Sequence, residues 1–144
     1  MLCHLLDFAC LIATEEIDPD RARDLERRIR RDQRWTEPIA VHRSELLVMD
    51  GHHRLTVAHR LRLDRIPVVL LDYDAVRVEA WREGETITPG DIIAMARRGG
   101  RFPPKTTRHI FDPPLPRCDV PLSDLRSIGA GHKATDTRLS GAPA

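Results

Sequence analysis

Leu46-Leu47-Val48-Met49-Asp50-Gly51-His52-His53-Arg54-Leu55 is the stretch on which the reading of this chain turns. Its apolar first half reads as a strand over Leu46 to Met49, which Asp50-Gly51 ends with a tight turn. Leu55, Ala58 and Leu61 then recur at helical spacing, which predicts a helix over His52 to Leu63. A strand, a glycine turn and a helix start bring together free backbone amides, the positive end of a helix, and the side chains of His52, His53 and Arg54. That is how a phosphate is held. The alternative for the same residues is a turn with a surface arginine and two capping histidines. A metal reading is weaker: His52 and His59 would stand about 10 Å apart along a helix, and Asp50 with His53 gives two ligands where a zinc site needs more.

Outward from this turn, Trp35 to His42 reads as a strand paired with Leu46 to Met49 around Arg43-Ser44-Glu45. Ile66 to Leu71 is a strand with Pro67 near its start, and Val76 to Trp81 alternates as a half-buried strand. Leu5 to Ala13 reads as a buried strand. Asp18-Pro19 is an N-cap followed by a proline at the first helical position, so a helix is predicted to about Arg31, with Asp24/Arg28 and Glu26/Arg30 as ion pairs. Seven arginines lie between Arg21 and Arg34, interleaved with Asp24, Glu26 and Asp32, and read as a solvated face. Thr88-Pro89 opens another helix that Gly99-Gly100 ends. Arg101 to Pro116 holds five prolines and reads as an extended surface loop, Arg117 to Val120 as a short strand, and 127–144 as a disordered tail. The mixture, without internal repeats, indicates a small α+β or α/β domain.

Composition agrees. A chain of 144 residues suits one domain, and 41% hydrophobic with 31% charged residues excludes fibrous and disordered classes. The net charge of +1 supplies no global field toward nucleic acid or anionic lipid, so any anion recognition is local. Cys3, Cys10 and Cys118 form no C-x-x-C pair, which speaks against a disulfide framework and for a reducing cytoplasm. Val68 to Leu71 is too short a run to span a membrane. The N-terminus lacks a basic region before its apolar run, and Asp7 interrupts that run, so no export signal is read.

Two further constellations carry chemistry. Pro103-Pro104-Lys105-Thr106-Thr107-Arg108-His109 sets cations, hydroxyls and an imidazole behind a stiff lead-in, suggesting a second anion site, with a plain basic loop as the alternative. Gly99 to Thr106 imitates a P-loop, but Pro104 stands where the second glycine belongs and has no amide hydrogen to offer. Thr14-Glu15-Glu16 places two carboxylates between the first strand and the first helix.

These residues resemble the ParB/sulfiredoxin-like superfamily and, within it, the free L-serine kinases, which make O-phospho-L-serine from serine and ATP or ADP. The resemblance runs through Thr14-Glu15-Glu16-Ile17-Asp18, Pro38 to Val41, Asp50 to Arg54, Ile66-Pro67, Asp72-Tyr73 and Phe102 to His109. It implies a compact α+β domain over 1–126, a mixed sheet with flanking helices. Glu16 would be the catalytic glutamate, with Glu15 the alternative one position earlier. Asp50 would act beside it as a second catalytic group, through Mg²⁺ or the serine hydroxyl. Gly51, His52, His53 and Arg54 would cradle the nucleotide phosphates, Arg54 facing the site rather than the core. Lys105, Thr106, Thr107, Arg108 and His109 would hold the serine or its new phosphate, with Trp81 walling the pocket. The partners implied are nucleotide and free L-serine or a similar small hydroxyl acceptor, in the cytoplasm and away from membranes. The helix-turn-helix region that ParB proteins use for sequence-specific DNA binding is not read here. A non-catalytic nucleotide-binding regulatory module is the other function this resemblance allows.

Overall fold

The computed structural model describes residues 2–126 and 137–139. Its centre is β5 (Arg65–Leu71), in which Ile66, Val68 and Val69 are essentially inaccessible to solvent. A strand apolar on both faces belongs in the middle of a sheet. It runs parallel to β3 (Ile39–His42) and antiparallel to β1 (Cys3–Asp7), giving the order β4-β3-β5-β1-β9, with β4 spanning Val48–Asp50 and β9 Thr137–Leu139. Two smaller ladders flank it: β2 (Arg34–Trp35) with β8 (Val120–Pro121), and β6 (Val76–Ala80) with β7 (Thr107–Phe111). Three helices complete an α+β domain: α1 (Pro19–Asp32), α2 (His52–Arg60) and α3 (Pro89–Arg98). No helix among the described residues is long and apolar enough to cross a membrane.

The helix starts follow their caps. Asp18 accepts from the amides of Asp20 and Arg21, and Thr88 and Asp91 form a reciprocal capping box. Gly99, at φ 71°, closes α3 in the left-handed conformation.

Three readings are corrected. The first strand ends at Asp7, not Ala13, because its carboxylate accepts from Ala9 N at 2.9 Å and caps a short 3-10 turn; the chain resumes pairing at Ile12, beside Leu47. The proline-rich stretch 101–116 is not loop throughout. Thr107-Arg108-His109-Ile110-Phe111, free of proline, pairs with β6 from Ala80↔Thr107 to Val76↔Phe111. Within the expected tail, Thr137–Leu139 lies along β1 and covers backbone groups that would otherwise form a bare edge; the rest of 127–144 is outside the described residues.

Candidate active site

A cleft of about 1100 Å³ opens where α2 begins. Gly51 caps that helix at φ 110°, and no side chain bonds to the free amides of the first turn. They are left for an anion. A Cβ at Gly51 would also stand 2.9 Å from Ile39 Cγ1, so the turn needs glycine twice over. Gly51→Ala is therefore expected to destabilise the fold by about 2–4 kcal/mol, from backbone strain and overpacking together, read as a lower urea midpoint at unchanged slope.

Arg54 lines the cleft, but only 13% of its side chain is exposed. Its Nη1 donates to the Pro38 carbonyl and its Nη2 to Asp50 Oδ2 at 3.1 Å, with Glu37 at 3.9 Å. Arg54 faces the cleft as expected, but it also braces the entry to β3, so its removal would not leave the fold untouched.

Both histidines line the cleft, with their Nε2 atoms engaged by backbone amides. Thr14 N donates to His52 Nε2 at 3.0 Å, and Asp18 N donates to His53 Nε2 at 3.0 Å. A backbone amide can only donate, so both Nε2 atoms are acceptors and have no proton there for a phosphate. Burial pushes His52 down to about 3, and the imidazoles of His109 and His53, wherever they take a proton, and the Arg101 guanidinium add to the effect. His53 is lowered mainly by burial and then by Arg21. Both rings are neutral at pH 7. Because the folded His52 refuses protons that the unfolded chain accepts below its ordinary 6.5, stability falls on acidification from pH 6.5. The loss proceeds at no more than about 1.4 kcal/mol per pH unit per ring. Urea melts between pH 6.5 and 5 should show this loss, and a His52→Gln chain should show less of it.

Glu15 and Glu16 point to opposite sides of an extended segment. Glu15 lines the cleft, and its Oε1 accepts from Thr106 N at 3.1 Å, Thr107 N at 3.0 Å and Thr107 Oγ1 at 3.4 Å. Glu16 lies outside the cleft lining, more than half exposed, 3.8 Å from Arg101. The structure thus places the alternative carboxylate, not Glu16, at the site.

Of the second motif, Lys105, Thr107, Arg108 and His109 reach the cleft. Thr106 does not: its buried hydroxyl donates to the Pro103 carbonyl at 2.7 Å and fixes the turn. Arg108 lies over the Trp81 ring at 5.0 Å, and Trp81 is 53% exposed at the cleft wall. His109 Nε2 is 3.0 Å from the Tyr73 hydroxyl, and burial pushes its ring down to about 4, so it is no cation at pH 7.

One wall was not anticipated. Arg21, Leu25 and Arg28 line the cleft at spacings that set them on one face of α1. Arg23, Arg27, Arg30 and Arg31 pair with neighbouring acids, whereas Arg21 and Arg28 have no ion pair among the described residues. The expected Asp24/Arg28 pair gives way to Asp24 with Arg27 at 3.7 Å. The signal available in the sequence was Leu25 between two arginines on the face that begins at the Asp18-Pro19 cap.

No protein-family model matches the chain. It is 34% identical over 83 residues to an ATP-dependent L-serine kinase of Staphylothermus marinus, covering 54% of this chain and 33% of that protein. To an ATP-dependent L-serine kinase of Desulfurococcus mucosus it is 30% identical over 102 residues, covering 67% of this chain and 40% of the relative. The matched stretches thus span a third to two fifths of these curated relatives. A ParB-like protein of Sulfolobus acidocaldarius is 34% identical over 56 residues, 39% of this chain and 28% of its own. Among solved structures, a free serine kinase in complex with AMP superposes with a TM-score of 0.79 at 16% identity, over 87% of this chain and 94% of that one. A variant of a free serine kinase in complex with ADP gives 0.78 at 15%, with the same coverage. The fold is that of these proteins.

Proposed function

We propose that this chain transfers a phosphoryl group from ATP or ADP to the hydroxyl of free L-serine, giving O-phospho-L-serine. One observation carries the reading: the Glu15 carboxylate and the uncapped start of α2 face the same cleft. A module that only bound nucleotide would need the second and not the first. The relatives named above as L-serine kinases support the choice of acceptor.

In this reaction the serine oxygen attacks the terminal phosphorus of the donor. The bond to the bridging oxygen breaks, ADP or AMP leaves, and the hydroxyl proton passes to Glu15. Since Glu15 commits Oε1 to the loop at Thr106 and Thr107, Oε2 is the oxygen left for that proton. The α2 amides hold the donor phosphates, with Arg54 and Arg21 adding positive charge. Arg108 and Lys105 supply cations on the acceptor side, while Trp81 walls it. Phosphoryl transfer is catalysed mainly by such alignment and charge neutralisation.

No cluster of three or more His, Cys, Asp or Glu side chains suited to a metal occurs among the described residues. The half-exposed Asp50 carboxylate beside the α2 start does suit Mg²⁺, which takes one or two carboxylates together with phosphate oxygens and water. Bound there, Mg²⁺ would neutralise phosphate charge. A cytoplasmic location follows from where serine and nucleotide are found.

The test is direct. Purified protein with L-serine, Mg²⁺ and either ATP or ADP should give phosphoserine by ³¹P NMR. Absence of product with both donors would overturn the reading, and nucleotide binding without product would leave the regulatory module.

A further inference from the structure

We infer that His52, although it sits in the turn that faces the nucleotide, is a positioning residue for the acceptor carboxylate Glu15 rather than a ligand of the phosphates. The inference rests on the kinase reading for its effect on turnover, and on geometry alone for the contact itself.

The segment that carries Glu15 is not a regular strand. One backbone bridge fixes its far side, where Phe102 N donates to Thr14 O at 2.8 Å and Glu16 N donates to Phe102 O at 2.8 Å. On the near side Thr14 N points away from Phe102, and its acceptor is His52 Nε2 at 3.0 Å. The buried Thr14 hydroxyl adds a bond to the Val48 carbonyl at 3.3 Å, so the residue before Glu15 is tied to β4 and α2 together. Past Glu15, His53 Nε2 takes the Asp18 amide. Glu15 therefore sits between two ring-to-amide latches, both anchored in the first turn of α2.

The carboxylate passes the constraint on. Glu15 Oε1 receives the amides of Thr106 and Thr107, which set the loop carrying Lys105 and Arg108. A path thus leads from His52 by hydrogen bond to Thr14, along the backbone to Glu15, and by hydrogen bond to the acceptor loop. What the path needs at its start is an acceptor at the reach of Nε2. Glutamine can supply one, since its side-chain oxygen extends about as far as Nε2; alanine cannot.

The experiment compares His52→Ala and His52→Gln with the wild-type chain. In the alanine variant phosphoserine turnover should fall about 10²-fold, the scale of a 1 Å misplacement of a reacting group. Its ADP affinity by calorimetry should stay within about threefold, a small step on the binding scale. The glutamine variant should recover most of the turnover. Independently of activity, amide exchange at Thr14, Thr106 and Thr107, read by NMR, should accelerate in the alanine variant and return toward wild type with glutamine. A fall in ADP affinity in both variants with turnover preserved would make His52 a phosphate ligand and overturn the inference. Should wild-type protein form no phosphoserine, the kinase reading fails separately, and unchanged exchange at Thr14 would then overturn the latch on its own. If the alanine variant does not fold, glutamine decides: rapid exchange at Thr14 despite the retained acceptor would count against it.

Discussion

Glu15→Gln is expected to abolish phosphoserine formation, with turnover down by about 10²–10⁴-fold, the usual range for loss of a positioned base. The substitution separates two jobs that the native side chain performs. A glutamine carbonyl still accepts from the amides of Thr106 and Thr107, which are 3.1 and 3.0 Å from Oε1, so the acceptor loop keeps its anchor. What disappears is the negative charge and the ability to take the serine proton. Nucleotide affinity should consequently hold. Glu16→Gln is the matched control, because that side chain lies outside the cleft near Arg101, and its turnover should stay within about twofold of wild type, as for surface changes away from a site. The reverse pattern, with Glu16→Gln inactive and Glu15→Gln active, would move the reacting centre to the other side of this segment and remove the cleft from the mechanism.

The adjacent pair shows where reading the sequence stops. Asp18-Pro19, Thr88-Pro89 and Gly99 disclose α1 and α3 because caps act locally, through amides two or three residues away. Likewise β5 is visible as an apolar run. The side to which Glu15 turns is decided elsewhere, by the bridge to Phe102 together with the contacts of Thr14 to His52 and Val48, and no periodicity in Thr14-Glu15-Glu16 encodes those partners. The histidine tautomers are hidden for a related reason. Sequence presents an imidazole as a possible donor, but the proton position in His52 is dictated by the amide of a residue 38 positions earlier. Strand β7 was hidden by the prolines on either side of it, although Thr107 to Phe111 contains the β-branched and aromatic residues that pairing favours. Arg28 was given to Asp24 by spacing, yet Arg27 competes for the same carboxylate and takes it, which frees Arg28 for the cleft.

Arg54→Ala is expected to damage both fold and binding, and the two effects can be read apart. The native guanidinium is 13% exposed and joins the Pro38 carbonyl to the Asp50 carboxylate. Its removal leaves a buried carbonyl without its partner and a cleft carboxylate without its cation, so stability should drop by about 1–3 kcal/mol. Asp50 is half exposed, and water compensates much of its share. On the folded fraction, loss of a charge-assisted phosphate contact should weaken ADP binding by roughly 10- to 150-fold, equivalent to about 1.5–3 kcal/mol. Urea melts with and without ADP distinguish these contributions. The wild-type midpoint should rise with nucleotide, by up to about 2.7 kcal/mol in stability at a hundredfold excess over Kd, whereas the variant at the same ADP concentration should start lower and rise little. A variant that starts lower but gains as much from ADP as the wild type would show that Arg54 only braces β3 and Asp50, leaving the backbone amides of α2 to hold the phosphates unaided.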